Sequence, residues 1–272
     1  MKHYEVILYT AIFLLFFQFA TAQKYEYEKA EVYFLKGDFS VTKDVKQATY
    51  LLQIIKSDDT TYTCRYYNKF GPMLKQETFF DSNLSMPNGI FSWYDVKGNI
   101  DSFTQVYKGR KTSYIFYDDS LKPIVSAKYK NGNLFEKRDY LLNIYTDSTG
   151  NTSDLKEKEE RDKLPDSITA TRKAASFSVN AHNEWKKYLE KHLQVPDRFE
   201  KVMPNGSYEV VASFLITKEG KVREVFLMRS CEWSADLEVF KVFKDSPLWQ
   251  PATQNGNSVI YRQRQSFTFS VN

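Results

Sequence analysis

Between positions 206 and 217 the chain alternates strictly. Tyr208, Val210, Ala212, Phe214 and Ile216 fall on one side of an extended backbone, and Glu209, Val211, Ser213, Leu215 and Thr217 on the other. A period of two predicts a β-strand with one strongly apolar face. Thr217-Lys-Glu-Gly220-Lys221 predicts a tight turn in which Gly220 supplies a positive φ, and residues 222–228 predict the returning strand. Such a hairpin has to bury its apolar face against another layer, so its flanks should supply the cover.

They do so on both sides. Upstream, Trp185, Tyr188, Leu189 and His192 or Leu193 recur at helical spacing and predict an amphipathic helix that stops before Pro196, followed by a largely polar link from Asp197 to Gly206. Downstream, Leu237, Phe240 and Phe243 predict a second helix over 234–244 with Ser234 as its N-cap. Trp249-Gln-Pro251 then turns the chain into a last strand over 259–271. There Tyr261, Gln263, Gln265, Phe267, Phe269 and Val271 share one side, and Arg262, Arg264, Ser266, Thr268 and Ser270 the other. The expectation for 177–272 is an α+β domain of two helices on a three-stranded antiparallel sheet.

Self-similarity dominates the middle of the chain. Tyr66-Tyr67-Asn-Lys-Phe-Gly71, Trp93-Tyr94-Asp-Val-Lys-Gly98 and Phe116-Tyr117-Asp-Asp-Ser-Leu121 are each an aromatic pair followed by a polar turn. The spacing is 23 residues from Tyr94 to Tyr117 and again from Gly109 to Gly132, and 27 from Tyr67 to Tyr94, with the insertion placed at 81–89. Each unit predicts two short strands and a turn. One hairpin cannot bury enough surface to stand alone, and stacking successive hairpins solves that. Aromatic residues are 16% of the chain and favour such pleated surfaces. A β-rich hairpin-repeat domain is therefore expected over 23–145, with its repeats at about 63–134. Residues 146–176, with Leu155-Lys-Glu-Lys-Glu-Glu-Arg-Asp-Lys163 at their centre, lack an apolar face and read as a charged linker.

At the N-terminus Lys2 precedes an apolar run over 6–19 that ends in Ala20-Thr21-Ala22. That is the pattern of a secretory signal removed before Gln23. A retained membrane anchor is the alternative, since the run through Ala22 approaches the roughly 17 to 20 apolar residues of a spanning helix. The expected location is the periplasm or cell envelope, with inner-membrane anchorage if 6–22 is kept. Export permits disulfides, yet Cys64 and Cys231 alone make no framework, and both a bridge and two buried thiols remain open.

Chemistry is sparse. The net charge of +4 and the absence of any Lys/Arg run longer than two argue against nucleic acid. His182 and His192 stand about 80° apart on a helix, with no Cys or carboxylate at ligand spacing, so no metal site is expected. There is no G-x-S-x-G and no P-loop, so neither catalysis nor a cofactor is expected.

Two resemblances follow from these residues. Trp93-Tyr-Asp-x-x-Gly-Asn99 with Tyr107-Lys-Gly109, and Tyr129-Lys-Asn-Gly132 one unit later, resemble the MORN-like repeats of the YwqK antitoxin type, which implies a spacer or binding platform. The helix ending at Pro196, Gly206-x-Tyr-x-Val-x-Ala-x-Phe-x-Ile-x-x-x-Gly220-x-Val222, the second helix, Trp249-x-Pro251, Asn255-Gly256 and the terminal strand together resemble the C-terminal domain of TonB energy transducers. Cys231 also looks like a position where one branch of that family carries cysteine. This resemblance implies binding to the TonB box of TonB-dependent outer-membrane receptors, and coupling to ExbB/ExbD and the proton-motive force if the chain is anchored. It implies β-augmentation, in which an extended peptide adds to an exposed sheet edge. The edge expected to do so is the terminal strand, Tyr261, Arg262, Gln263, Arg264, Gln265, Ser266 and Phe267, with both arginines turned to acidic partner residues. The 8 prolines are scattered rather than gathered into a periplasmic spacer, so the alternative is a structural or adaptor envelope protein that binds through its repeats without energy transduction.

Overall fold

The computed structural model describes residues 23–25, 30–57, 61–162, 172–177 and 181–272. The apolar run at 6–22 and residues 163–171 of the charged stretch lie outside the described residues. Strands dominate, accompanied by four α-helices among the described residues.

A long antiparallel meander comes first. Its strands are β1 (Gln23–Tyr25), β2 (Ala30–Leu35), β3 (Val41–Thr42), β4 (Tyr50–Ser57), β5 (Thr61–Asn68), β6 (Met73–Phe79), β7 (Gly89–Tyr94), β8 (Ile100–Tyr107), β9 (Arg110–Tyr117), β10 (Pro123–Lys130), β11 (Asn133–Asp139), β12 (Ile144–Thr146) and β13 (Thr152–Asp154). From β4 onward each strand pairs with the next, while β2 pairs with β1, β3 and β4. Lys108-Gly109 and Asn131-Gly132 close two hairpins with positive φ at both residues, the geometry that matches strand twist.

Three further turns share another form, two of them (95–99 and 118–122) at the opposite end of the sheet and the third (147–151) at the same end as these hairpins. Asp95, Asp118 and Asp147 each donate their own N–H to the carbonyl four residues on, and their carbonyls accept the N–H three residues on. The third loop residue, Gly98, Leu121 or Gly150, has positive φ. Each Asp Oδ1 also accepts two backbone N–H groups of its own turn, so the carboxylate replaces water for donors the turn leaves open. Asp147-Ser-Thr-Gly150-Asn151 thus repeats Asp95-Val-Lys-Gly98-Asn99 and closes β12 on β13. The hairpin sheet continues to Asp154, and α1 (Leu155–Asp162) follows directly, with Leu155 buried.

The aromatic pairs acquire a physical meaning here. Neighbouring residues of a strand face opposite sides of the sheet. Tyr67, Tyr94 and Tyr117 are buried on one face, in a single core with Phe226, Leu227, Trp233 and Phe240 from the last third of the chain. Tyr66, Trp93 and Phe116 stand half-buried or exposed on the other.

The last third holds β14 (Arg172–Lys173), α2 (Ala181–His192), α3 (Asp197–Val202), β15 (Gly206–Ile216), β16 (Val222–Arg229), α4 (Trp233–Lys244), β17 (Ala252–Gln254), β18 (Asn257–Val259) and β19 (Tyr261–Val271). One three-stranded sheet has the order β16-β15-β19, and a smaller one the order β14-β17-β18. Three expectations need correction. The polar link after Pro196 is helix α3, because Phe199 is fully buried against Tyr208 and Phe269 and draws the turn onto the sheet. The last third therefore carries three helices rather than two. The N-cap of α4 is Glu232, whose carboxylate accepts from Ser234 N at 2.8 Å; Ser234 already lies inside the helix. The last strand is broken at Ile260, because 257–259 pairs back onto 252–254 through the Asn255-Gly256 turn. Among the described residues no helix is long and apolar enough to cross a membrane.

Candidate functional site

The terminal strand β19 pairs with β15 along its whole length, from Gly206↔Val271 to Ile216↔Tyr261. No other described strand pairs with β19, so its second backbone edge is open among the described strands. Its burial alternates as the sequence pattern requires. Phe267 and Phe269 pack beneath the helices, 5.7 Å from Phe243 and 5.6 Å from Phe199 between ring centres. Tyr261 is exposed at the start of the strand, and Ser266 is exposed on the opposite side from Phe267. Gln265 turns its amide back to the Ser266 carbonyl at 3.0 Å. Gln263 is half-buried, and its Oε1 has no hydrogen-bond partner among the described residues.

Arg262 and Arg264 face the hairpin sheet and are engaged within the chain. Arg264 Nη1 donates to the Leu121 carbonyl at 3.2 Å, on the β9–β10 turn. Arg262 pairs with Glu224 at 2.5 Å, and its guanidinium lies 5.6 Å from the ring centre of Phe226. The reason is register. Arg262 stands opposite Leu215 and Arg264 opposite Ser213, both on the face of the three-stranded sheet that packs on the repeats rather than on the helices. Burial raises the Tyr117 hydroxyl above its ordinary pKa, and Arg264 and Arg262 pull the other way, which places both arginines within electrostatic reach of that repeat tyrosine.

The repeats grip the other edge of this sheet, at β16, through their turn tips and strand ends. Ser230 N donates to the Gly98 carbonyl at 2.9 Å, Met73 N donates to Ser230 Oγ at 2.8 Å, and Tyr94 donates its hydroxyl to the Leu227 carbonyl at 2.9 Å. Arg229 Nε donates to Asn99 Oδ1 at 2.7 Å and the same side chain pairs with Glu209. Phe103 lies 4.8 Å from Phe226 between ring centres. From the first turn of α4, Glu232 accepts from Arg198 Nε at 2.9 Å, while Arg198 also donates to the Lys69 carbonyl at 2.6 Å.

Asp236 is the most perturbed carboxyl of this joint. It is fully buried, takes hydrogen bonds from Ser230 Oγ and Cys231 N, and has no ion-pair partner among the described residues. Burial pushes its pKa up to about 8; the Ser230 and Cys231 hydrogen bonds lower it, Glu232 raises it and Arg65 lowers it. Arg65 sits 3.4 Å above the Phe240 ring and donates to Gln76 at 3.0 Å. A neutral acid suits this site, since an ion there would lose its hydration without gaining a counter-ion.

Cys64 and Cys231 are both buried free thiols, which settles their pairing. They lie in different clusters, Cys64 with Leu35 and Leu52 and Cys231 with the main core. Burial pushes the Cys64 thiol up to about 12, so it is poorly nucleophilic. His192 stacks on Tyr188 with its Nδ1 2.9 Å from the Tyr188 carbonyl; the His182 side chain lies outside the described ones. No group of three metal-binding side chains assembles among the described residues.

The row Tyr67, Tyr94 and Tyr117 and the segment Ser230 to Asp236 are what sequence reasoning missed. The signal for the first was present in the pairing of aromatics, since two adjacent rings must straddle a sheet. For the second it was the sequence Ser230-Cys-Glu-Trp-Ser-Ala-Asp236, which puts two carboxylates on the start of a helix where its dipole favours them.

No family model matches the chain, and no curated protein matches it. Among solved structures it is similar to a Staphylococcus aureus TarM mutant crystallised with fondaparinux, alpha-GlcNAc-glycerol and UDP, at 13% identity and a TM-score of 0.21. That likeness covers 47% of this chain and 21% of TarM, so the chain spans about a fifth of that protein's length. At such a score it carries no argument about fold or function.

Proposed function

We propose that this chain is a TonB-like envelope protein that captures the TonB-box segment of TonB-dependent outer-membrane receptors on the open edge of β19. The observation that supports this best is the strand order β16-β15-β19, which leaves an eleven-residue strand at the edge of a sheet backed by helices. An open edge presents unpaired N–H and C=O groups, and an extended peptide satisfies them by adding one more strand. The helix-and-sheet arrangement of 177–272, with its α2 helix, β15–β16 hairpin, α4 helix and terminal strand, is read here as the TonB-type C-terminal domain. No step in this reading is catalytic. Retention of residues 6–22 as an anchor would allow ExbB/ExbD to transmit proton-motive force through the docked repeats; removal would leave a periplasmic binding protein.

A synthetic peptide spanning a receptor TonB box, titrated into the full chain, tests this by amide hydrogen exchange. Exchange should slow at alternate residues across 261–267, because only every second N–H of an edge strand points outward. Saturating peptide with no change in β19 exchange would sink the reading.

One observation favours the adaptor reading. The face of the hairpin sheet turned away from the last third carries Tyr66, Trp93, Tyr114, Phe116 and Tyr129, none of them fully buried. Under that reading the Trp93→Ser and Phe116→Ser changes would release a co-purifying envelope partner while the β19 amides stayed unprotected.

A further inference from the structure

The turns of the hairpin sheet and the strands of the C-terminal sheet advance in step. At one side β16 meets the β7–β8 turn, through Asn99 and Arg229, and two repeat strands later Arg264 of β19 reaches the carbonyl of Leu121 in the β9–β10 turn. The next turn at that end of the sheet is 140–143, between β11 and β12. Neighbouring strands are about 4.8 Å apart, so this loop stands about 10 Å along from the Leu121 turn. A strand added to the open edge of β19 would lie about 4.8 Å outward in the same direction, alongside that loop. Tyr140 opens the loop, and its hydroxyl raises the pKa of the same Tyr117 hydroxyl that Arg262 and Arg264 lower.

The loop has a composition that its own fold does not use. Leu141 is 73% exposed and Leu142 68% exposed, with Tyr140 at 38% beside them. Its backbone is nonetheless pinned. Tyr140 N donates to the Ile124 carbonyl at 3.0 Å and Leu142 N to Asp139 Oδ1 at 2.9 Å. At its far end Asn143 accepts from Leu155 N at 2.9 Å and from Lys156 N at 3.1 Å. Two leucines held toward solvent on a fixed backbone form a preorganised apolar surface, and preorganisation lowers the entropic cost of binding.

We infer that the open edge of β19 and the loop 140–143 form one composite groove for an extended peptide with apolar side chains at every second position. This rests on the edge-binding reading above. The strand edge supplies backbone hydrogen bonds, which are indifferent to sequence, and Leu141 and Leu142 select for apolar side chains on the face turned to the repeats. Selectivity would then come from the repeat module and affinity from the C-terminal sheet.

Two nine-residue synthetic peptides test the groove on the full chain, one alternating Thr with Val and one alternating Thr with Ser, each followed by fluorescence anisotropy and by exchange of the β19 amides. The Val peptide should bind about tenfold or more tightly, the ratio expected from covering even one aliphatic side chain. The double variant Leu141→Asp, Leu142→Asp alters only exposed side chains, so the fold is kept. It should erase that preference and leave the Ser peptide within about twofold of its former affinity. If the variant still prefers the Val peptide tenfold while both peptides protect β19, the loop is not part of the groove and the edge reading survives. If neither peptide protects β19, both readings fall together.

Discussion

Gly98 occupies the third position of its turn at φ +83°, and a Cβ there would come within 2.1 Å of the Ser230 carbonyl and 2.6 Å of Pro72 Cβ. Gly109 has a similar φ of +74° but open space around it. Changing Gly109→Ala should cost only the left-handed backbone, about 1 kcal/mol. Gly98→Ala adds a clash at the joint and the loss of the Ser230 N–H bond, so about 3 kcal/mol or more is expected by urea denaturation. Asp236 makes a pH prediction at the same joint. Its folded pKa, about 8, lies above its ordinary value of 3.8, so the native state holds a proton that the unfolded chain has released. Its contribution is intact below about pH 4 and is lost as pH rises toward 8, with a slope of up to about 1.4 kcal/mol per unit. Asp236→Asn should flatten that part of the stability–pH curve; an unchanged slope would mean that Asp236 is ionised in the fold. The role of Gly98 was not legible in the sequence, because it acts through Ser230, more than a hundred residues away, and the burial of Asp236 was not, because the distant repeat residues Tyr67 and Tyr94 share its core although its hydrogen-bond partners are local.

At the scale of elements, strong periodicity was legible and tertiary capture was not. The alternation over β19 states which face is buried, and the structure follows it, whereas β15 is buried on both faces from Val210 to Phe214 because the repeats cover the side opposite the helices. The sequence of α3, Asp-Arg-Phe-Glu-Lys-Val, has one ring to bury and no repeat of it, so no local signal separates it from a polar link. Its helix exists because Phe199 fits between Tyr208 and Phe269. Phe199→Ala should therefore cost about 3–5 kcal/mol, and far more than the neighbouring exposed Glu200→Ala, in the same denaturation assay. The hairpin at 144–154 was hidden differently. Its Asp-x-x-Gly-Asn turn matches Asp95–Asn99, but β13 is only Thr-Ser-Asp, fully exposed, and polarity masks a strand that has no core to face. The candidate edge was legible as a strand at the end of a sheet. The engagement of Arg262 and Arg264 was not, since it depends on which face the repeats cover.

Across the whole molecule the repeats and the last third share one hydrophobic core, which runs from Val32 and Leu51 through Tyr94 and Phe103 to Phe226, Met228 and Phe269. Charge and composition at 146–176 predict a tether, yet the modules meet through buried rings, backbone bonds between turn tips and the chain at 227–230, and Arg198 spanning Glu232 and Lys69. A tether sets only the local concentration of what it joins; a shared core makes the stability of each part depend on the other. Thermal unfolding should thus be a single transition, seen at the same midpoint in a Trp93→Phe background by tryptophan fluorescence, which then reports only Trp185, Trp233 and Trp249 of the last third, and by hydrogen exchange across β7–β9. Phe103→Ala removes the ring that packs, tilted, against Phe226 and should lower both midpoints together, at a cost of about 3–5 kcal/mol of stability. Two separated transitions, or a Phe103→Ala effect confined to the repeats, would mean that the modules only touch.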